Sequence, residues 1–175
     1  MSDLGKRLAS GDEDAFDETV ELYSRKVYGL CYRILRDQGE AEDMTQEVFV
    51  RVYTKHKTFK GKSSLYTWIY RIALNMCFSH LKKRRAPTVP FEEVEGVLTT
   101  RADDSVDHRE LERLVAGAVG QLPPKQRAVF TMRFYDKMTF KEISEAVGTS
   151  VGGAKANHHF AVERLREILK EADPK

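Results

Sequence analysis

Apolar residues recur along this chain at alternating steps of four and three. Phe16, Val20, Tyr23, Val27, Leu30 and Ile34 make the first series, one stripe along a long helix. Asp37-Gln38-Gly39 interrupts it, and Ala41, Met44, Val48 and Val52 then form the inner stripe of a second helix. A polar loop follows at Gly61-Lys62-Ser63-Ser64, where Ser63 or Ser64 can cap a third helix with Leu65, Ile69, Ile72 and Met76 inward. That helix runs out in Lys82-Lys83-Arg84-Arg85, where cations suit the negative end of a helix dipole.

The period is then lost. Ala86 to Glu110 holds Pro87 and Pro90, seven acids and two bases, and reads as an acidic, extended linker. Helices resume near Asp107, with Leu111, Leu114, Val115 and Leu122 apolar, until Pro123-Pro124 stops one helix and starts the next, Lys125 to about Tyr135. Thr139-Phe140-Lys141-Glu142 is a capping box opening a short helix with Ile143 and Val147 inward. Gly148 ends that helix in the left-handed position, and Ser150 can cap a longer one, Val151 to about Leu169. Its inner face is Val151, Ala154, His158, Ala161, Leu165 and Ile168. A short helix, a glycine turn and a longer helix make the helix-turn-helix layout, with small Ser144 where the two helices approach. The pattern predicts an all-α protein of two small helical domains, 1–86 and 108–175, tethered by a flexible acidic linker over 87–107.

Charge gives the two domains different tasks. Arg51 to Arg85 carries ten lysines and arginines and no acid, interleaved with Tyr53, Phe59, Tyr66, Trp68, Tyr70 and Phe78. Such a stretch suits phosphates and stacked bases. Ser10 to Val50 holds eleven acids against four bases, which nucleic acid would repel, so it calls for a protein partner. On the last helix Gly152, Lys155, Ala156, His159 and Glu163 face outward. Lys155 can reach a guanine edge or a phosphate, His159 a base edge or a phosphate, and Asn157, at the flank, the DNA backbone. Gly152-Gly153 fits close approach to another backbone. His158 and His159, adjacent on a helix, point about 100° apart and cannot chelate one ion together.

Composition excludes little else. The chain has 175 residues, 41% apolar and 32% charged, with formal net charge +2. It begins without a signal-peptide-like apolar run and has no apolar stretch of the roughly 18 residues a membrane span needs. Cys31 and Cys77 stand far apart with no CxxC and read as reduced cysteines within helices, which fits the cytoplasm. No phosphatase, kinase or metalloenzyme signature is present, so neither catalysis, cofactor nor metal is expected.

Residues Ala41 to Tyr53 (AEDMTQEVFVRVY), Ser64 to Asn75 (SLYTWIYRIALN) and the basic tail after them closely resemble the second conserved region of bacterial sigma factors. Leu122 to Phe130 (LPPKQRAVF), with Met138 to Leu169, is similar to the fourth. Two regions and a short linker resemble the plan of the extracytoplasmic-function sigma factors. The resemblance implies that Asp43, Gln46 and Glu47 bind the clamp coiled coil of the largest subunit of core RNA polymerase, with the flap a second contact. It implies promoter −10 recognition by the Phe59–Ser64 loop and third helix: Lys60, Lys62 and Arg71 on phosphates, Ser63 in the loop, Asn75 on a base edge, and Trp68 as core or stacking platform. Lys82, Lys83, Arg84 and Arg85 would follow the duplex backbone. The −35 element would fall to Ser150, Lys155, Ala156, Asn157 and His159, on a helix less basic than is common in the family.

A linker of about 20 residues reaches at most about 70 Å, enough to set the domains on separate promoter elements. Free in solution, the domains could fold together and hide both DNA faces, and an anti-sigma partner is expected to use such a state. Direct membrane insertion is not expected. Three other readings compete: a dimeric helix-turn-helix regulator binding operators alone, a nuclease, and a sigma-like adaptor that binds polymerase but no promoter. The absence of carboxylates from 51–85 argues against the nuclease.

Overall fold

The structure is a computed structural model that describes the backbone of residues 2–84 and 106–172, and the side chains of 2–84 and 113–171. The described residues form eight α-helices and one 3-10 turn, with no strand among them. The first domain contains α1 (Asp3–Ser10), α2 (Glu13–Leu35), α3 (Gln38–Lys55), the 3-10 turn His56–Thr58, and α4 (Leu65–Lys83). The second contains α5 (Val106–Gly120), α6 (Pro124–Phe134), α7 (Phe140–Val147) and α8 (Val151–Ala172). The linker anticipated over 87–107 lies outside the described residues save for its last two positions, which begin α5. Arg85, Leu111 and the side chains of 108–112 are likewise undescribed.

Capping sets the boundaries. Asp37, read from sequence as part of an interruption, is the N-cap of α3 and accepts from the Glu40 amide at 2.8 Å. Gln38 and Gly39 are already helical, so the break is only the left-handed Arg36 and the extended Asp37. Ser64, not Ser63, caps α4, accepting from the Thr67 amide at 3.0 Å. Helix α1 and the 3-10 turn were not anticipated: α1 offers only Leu4 and Leu8 as an apolar pair, and the turn has three residues. Asp12 closes the α1–α2 corner, capping α2 through Ala15 and pairing with Arg7 at 2.8 Å. That pair holds the Asp12 carboxyl below its ordinary range.

The three-helix core of the first domain is Val27, Leu30, Ile34, Met44, Val48, Val52, Ile69, Tyr70, Leu74 and neighbours. On α4 Leu65 and Ile69 are buried as expected, but the buried surface is broader than the expected stripe. Ile72 and Met76 are half-buried, while Tyr70, Ala73, Leu74 and Cys77 are fully enclosed. The cause is that α4 is covered on two sides, by α2 and α3 and by the second domain, so a single stripe does not describe it. Cys31 and Cys77, distant in sequence, meet in this core as free thiols with sulfurs 3.8 Å apart. Mutual contact and burial push the Cys77 thiol up.

The second domain has its own core of Ala118, Val119, Leu122, Phe130, Ala161 and Leu165. The capping box opens α7 as expected: the Thr139 hydroxyl accepts from the Glu142 amide at 3.2 Å, and Glu142 accepts from the Thr139 amide at 2.8 Å. Thr139→Ala is expected to lower the stability of this domain by about 1 kcal/mol. Urea titration of the full chain, followed by far-UV circular dichroism, checks it; an unchanged midpoint would show that the box does not hold α7.

The two domains rest directly on each other. Val129, Met132, Met138, Ile143, Ala146 and Ala154 belong to the same buried cluster as the first domain's core. Helix α7 packs on α4 and α6 on α2. Arg127 pins the joint, donating to Ile34 O of α2 at 2.8 Å and to Gly120 O and Leu122 O at 2.7 and 2.9 Å. Burial, and then the nearby Arg36 charge, bring its guanidinium down to about 10. Gly120 leaves room for the Arg36 side chain: a Cβ would lie 2.0 Å from the guanidinium carbon and force it to shift.

Candidate nucleic-acid interface

The acidic helix presents its candidates outward. Asp43, Gln46 and Glu47 are exposed on α3, opposite buried Met44 and Val48. Positions three and four apart share a face, which makes the three side chains neighbours. The same face continues into Val50 and Tyr53, 64% and 50% exposed. From sequence, Val50 had no role and Tyr53 counted only among the aromatics of the basic stretch. The available signal was that both fall outside the 41/44/48/52 stripe, so their bulk had to face solvent or a partner.

The basic surface is built on the loop before α4 and on α4 itself. Lys60 and Lys62 are exposed, and Ser63 is half-buried with its hydroxyl donating to Ser64 O at 3.3 Å. Beneath the loop, buried Phe59 meets half-buried Trp68 with ring centroids 5.3 Å apart. Trp68 thus forms part of the loop's floor while keeping part of its surface exposed. Arg71 and Asn75 are exposed one turn apart on α4, with Phe78 half-buried beyond them. Lys82 and Lys83 are exposed at its end. Arg84 is held by Glu40 at 2.8 Å, so its charge is partly spent tying α4 to α3; Arg85 lies outside the described residues.

In the helix-turn-helix, Gly148 takes the left-handed conformation (φ 74°), and the amides of Gly148 and Thr149 both return to Ser144 O at 3.0 Å. Ser144 is buried at the crossing. Ser150 caps α8, accepting from the Gly153 amide at 3.0 Å, so its hydroxyl is engaged within the turn. The glycine pair divides. A Cβ at Gly153 would meet Thr149 Oγ1 at 2.5 Å, whereas at Gly152 the nearest atom is 3.9 Å away. A larger residue at Gly153 would thus have to displace the Thr149 hydroxyl, while a Cβ at Gly152 would make only ordinary contact. Lys155, Ala156 and His159 are exposed, and half-buried Asn157 donates to Gly153 O at 2.8 Å. His158 packs between Phe130 and Phe140, and burial, with Arg133 and His159 nearby, lowers its ionisation. Val151, expected inward, is 41% exposed at the first residue of α8. Phe160, next to His159, is 58% exposed and was missed; its sign was an apolar residue off the inner stripe.

Closure of the domains does not bury these residues. Arg71, Asn75, Lys155, Ala156 and His159 all stay exposed, contrary to the expectation that folding together hides both faces. What closure fixes is their separation. Among the described residues no three His, Cys, Asp or Glu side chains gather as a metal-binding group, and no helix is long and apolar enough to cross a membrane.

The chain matches the family descriptions Sigma-70 region 2 over residues 19–86 and Sigma-70, region 4 over 112–165. It is 33% identical to the ECF RNA polymerase sigma factor SigW of Bacillus subtilis, over 95% of each chain. With the RNA polymerase sigma-H factor of Pseudomonas aeruginosa it shares 32% identity over 97% of this chain and 95% of that one. The structure is similar to the sigma factor RpoE of Bartonella quintana, solved with the anti-sigma factor NepR, at TM-score 0.73 and 21% identity, covering 89% of this chain and 96% of the other. It is also similar to CnrH, solved with the cytosolic domain of CnrY, at TM-score 0.74 and 21% identity over 97% of each.

Proposed function

Because the chain belongs to the extracytoplasmic-function sigma factors of bacterial RNA polymerase, we propose a division of its surface into three working parts. Asp43, Gln46 and Glu47 dock on the clamp of core polymerase, with Val50 and Tyr53 extending the contact. Lys60, Lys62, Arg71 and Asn75 engage the −10 element, Asn75 reading a base edge while the cations hold phosphates. Lys155, Ala156 and His159 meet the −35 element from the major groove, and Ser150 and Asn157 act by shaping the start of α8. Lys82 and Lys83 follow the duplex backbone.

The observation that carries this reading is the separation of charge on one exposed surface. The acidic residues of α3 and the carboxylate-free stretch 51–83 are consecutive in sequence, yet Asp43, Gln46 and Glu47 on α3 and Arg71 and Asn75 on α4 are all exposed. A protein partner and a nucleic acid can then be held at once. The family supports a factor that acts by binding, not by catalysis, in the cytoplasm. An anti-sigma partner that holds the domains together fits the direct packing of α6 and α7 on the first domain.

Asn75→Ala is expected to reduce holoenzyme discrimination between a matched and a scrambled −10 element by about 1–3 kcal/mol, the worth of one base-edge contact. Lys155→Ala is expected to reduce the salt dependence of promoter binding by about one phosphate's worth. Fluorescence anisotropy of labelled promoter DNA with the holoenzyme checks both. Equal losses on matched and scrambled DNA for the Asn75 variant would reduce that residue to a phosphate or structural contact.

A further inference from the structure

The turn between α6 and α7 carries a carboxyl that the promoter and polymerase contacts do not use. Asp136 is packed between the domains, facing Tyr66 and Tyr70 of α4 and Lys26 and Arg33 of α2. The Tyr66 and Tyr70 hydroxyls are near enough to bias its ionisation, yet Asp136 Oδ2 and the Tyr66 hydroxyl are both buried without a hydrogen-bond partner. Tyr70 donates instead to Lys26 O at 3.1 Å. The cations around it are partly committed elsewhere: the Lys26 ammonium lies over the Tyr66 ring at 5.0 Å and the Arg33 guanidinium over the Tyr135 ring at 4.0 Å. Arg133, from α6, turns to Met138 O and the Phe140 ring, and Lys137 is exposed over Phe134. On α7, Glu142 adds a negative charge that acts on Tyr66.

We propose that Asp136 is a proton-operated latch: its protonated carboxyl holds the two domains closed, and its ionisation favours their release. A neutral carboxyl keeps charge out of this inter-domain site, and its oxygen can still accept from the Tyr66 hydroxyl. An ionised one leaves a buried charge that Lys26 and Arg33, each also drawn to a ring, offset only in part. Burial raises this carboxyl from 3.8 to about 6, outweighing the opposing pull of Arg33, Tyr70, Lys26 and Tyr66. Once the domains part, the group returns to water and to its ordinary range. The closed form therefore holds more protons between those limits, so closure strengthens as pH falls through about 6 and weakens as it rises. Between pH 8 and pH 5 the closing constant should increase about tenfold.

The test is small-angle X-ray scattering of the full chain from pH 5 to pH 8, with neither DNA nor polymerase, so its failure is separate from any failure of the sigma-factor reading. Wild type should approach the radius of gyration of a compact chain of this length, about 16 Å, at pH 5 and expand toward pH 8. Asp136→Asn, neutral at every pH, should stay compact and lose most of the response that histidines leave in place. Tyr66→Phe, which removes a hydroxyl favouring the ionised form, should move the midpoint to higher pH and carries the test if the asparagine variant does not fold. Arg127→Ala brings the equilibrium into range if wild type stays shut throughout. A radius independent of pH in both wild type and Arg127→Ala, a wild-type response retained by Asp136→Asn, or an unmoved Tyr66→Phe midpoint overturns the latch.

Discussion

Asp43→Arg is expected to weaken binding to core RNA polymerase by at least about a hundredfold, since a like charge placed against a complementary surface costs several kcal/mol. The side chain is exposed on α3 and makes no contact with the core, so the fold should be untouched, within about 0.5 kcal/mol. Competition with a labelled wild-type chain for core enzyme measures the loss, and thermal unfolding guards the interpretation. A variant that folds and still competes equally would remove the clamp role from this face and leave the acidic block without a partner.

Arg127→Ala has the largest expected effect on the fold. Three carbonyl oxygens, from Ile34, Gly120 and Leu122, converge on this one guanidinium. Two of them belong to the end of α5 and the turn before α6, and the third to the end of α2 in the other domain. Removing the donor leaves helix-end acceptors unsatisfied, and a hydrogen bond to a charged group is worth about 1.5–3 kcal/mol. A loss of about 2–3 kcal/mol in the second domain is expected, together with weaker closure of the two domains. Chemical denaturation reports the first and the radius of gyration the second. Full stability with altered closure would assign Arg127 to the joint alone.

The parts of the molecule legible in sequence are those with sustained period or explicit punctuation. Helices α2, α3 and α8 announce themselves by apolar spacing, and α7 by its capping box and Gly148. Exposed candidates on amphipathic helices were legible for the same reason: Asp43, Asn75 and Lys155 lie opposite or beside a stripe that must be buried. Tertiary contacts were not legible. The burial of Tyr70 and Cys77 comes from a second layer over α4 that α4's own period cannot announce. Arg84 looked like one of four equivalent cations until the fold placed Glu40 beside it, 44 residues away in sequence. Ser150 was legible as the cap of α8, whereas the bond from the Asn157 amide to Gly153 O was not. Asp136 had no sequence signature, since its environment is assembled from α2 and α4.

Closure also bears on how the protein works. With exposed reading residues on both domains, the closed chain is limited by geometry more than by access. Elements centred some 25 base pairs apart are separated by on the order of 80 Å at about 3.4 Å per pair. A compact chain of this size is only about 40 Å across. The domains must part to reach both elements, so whatever favours closure opposes promoter use, whether a partner protein or a proton on Asp136.

The most direct test is transcription of genomic DNA by core RNA polymerase with and without this protein, sequencing transcript 5′ ends. A promoter-specificity factor should produce new, discrete start sites that share −35 and −10 sequences upstream, and Asp43→Arg should abolish them. No new starts, together with no binding to core enzyme, would contradict the account.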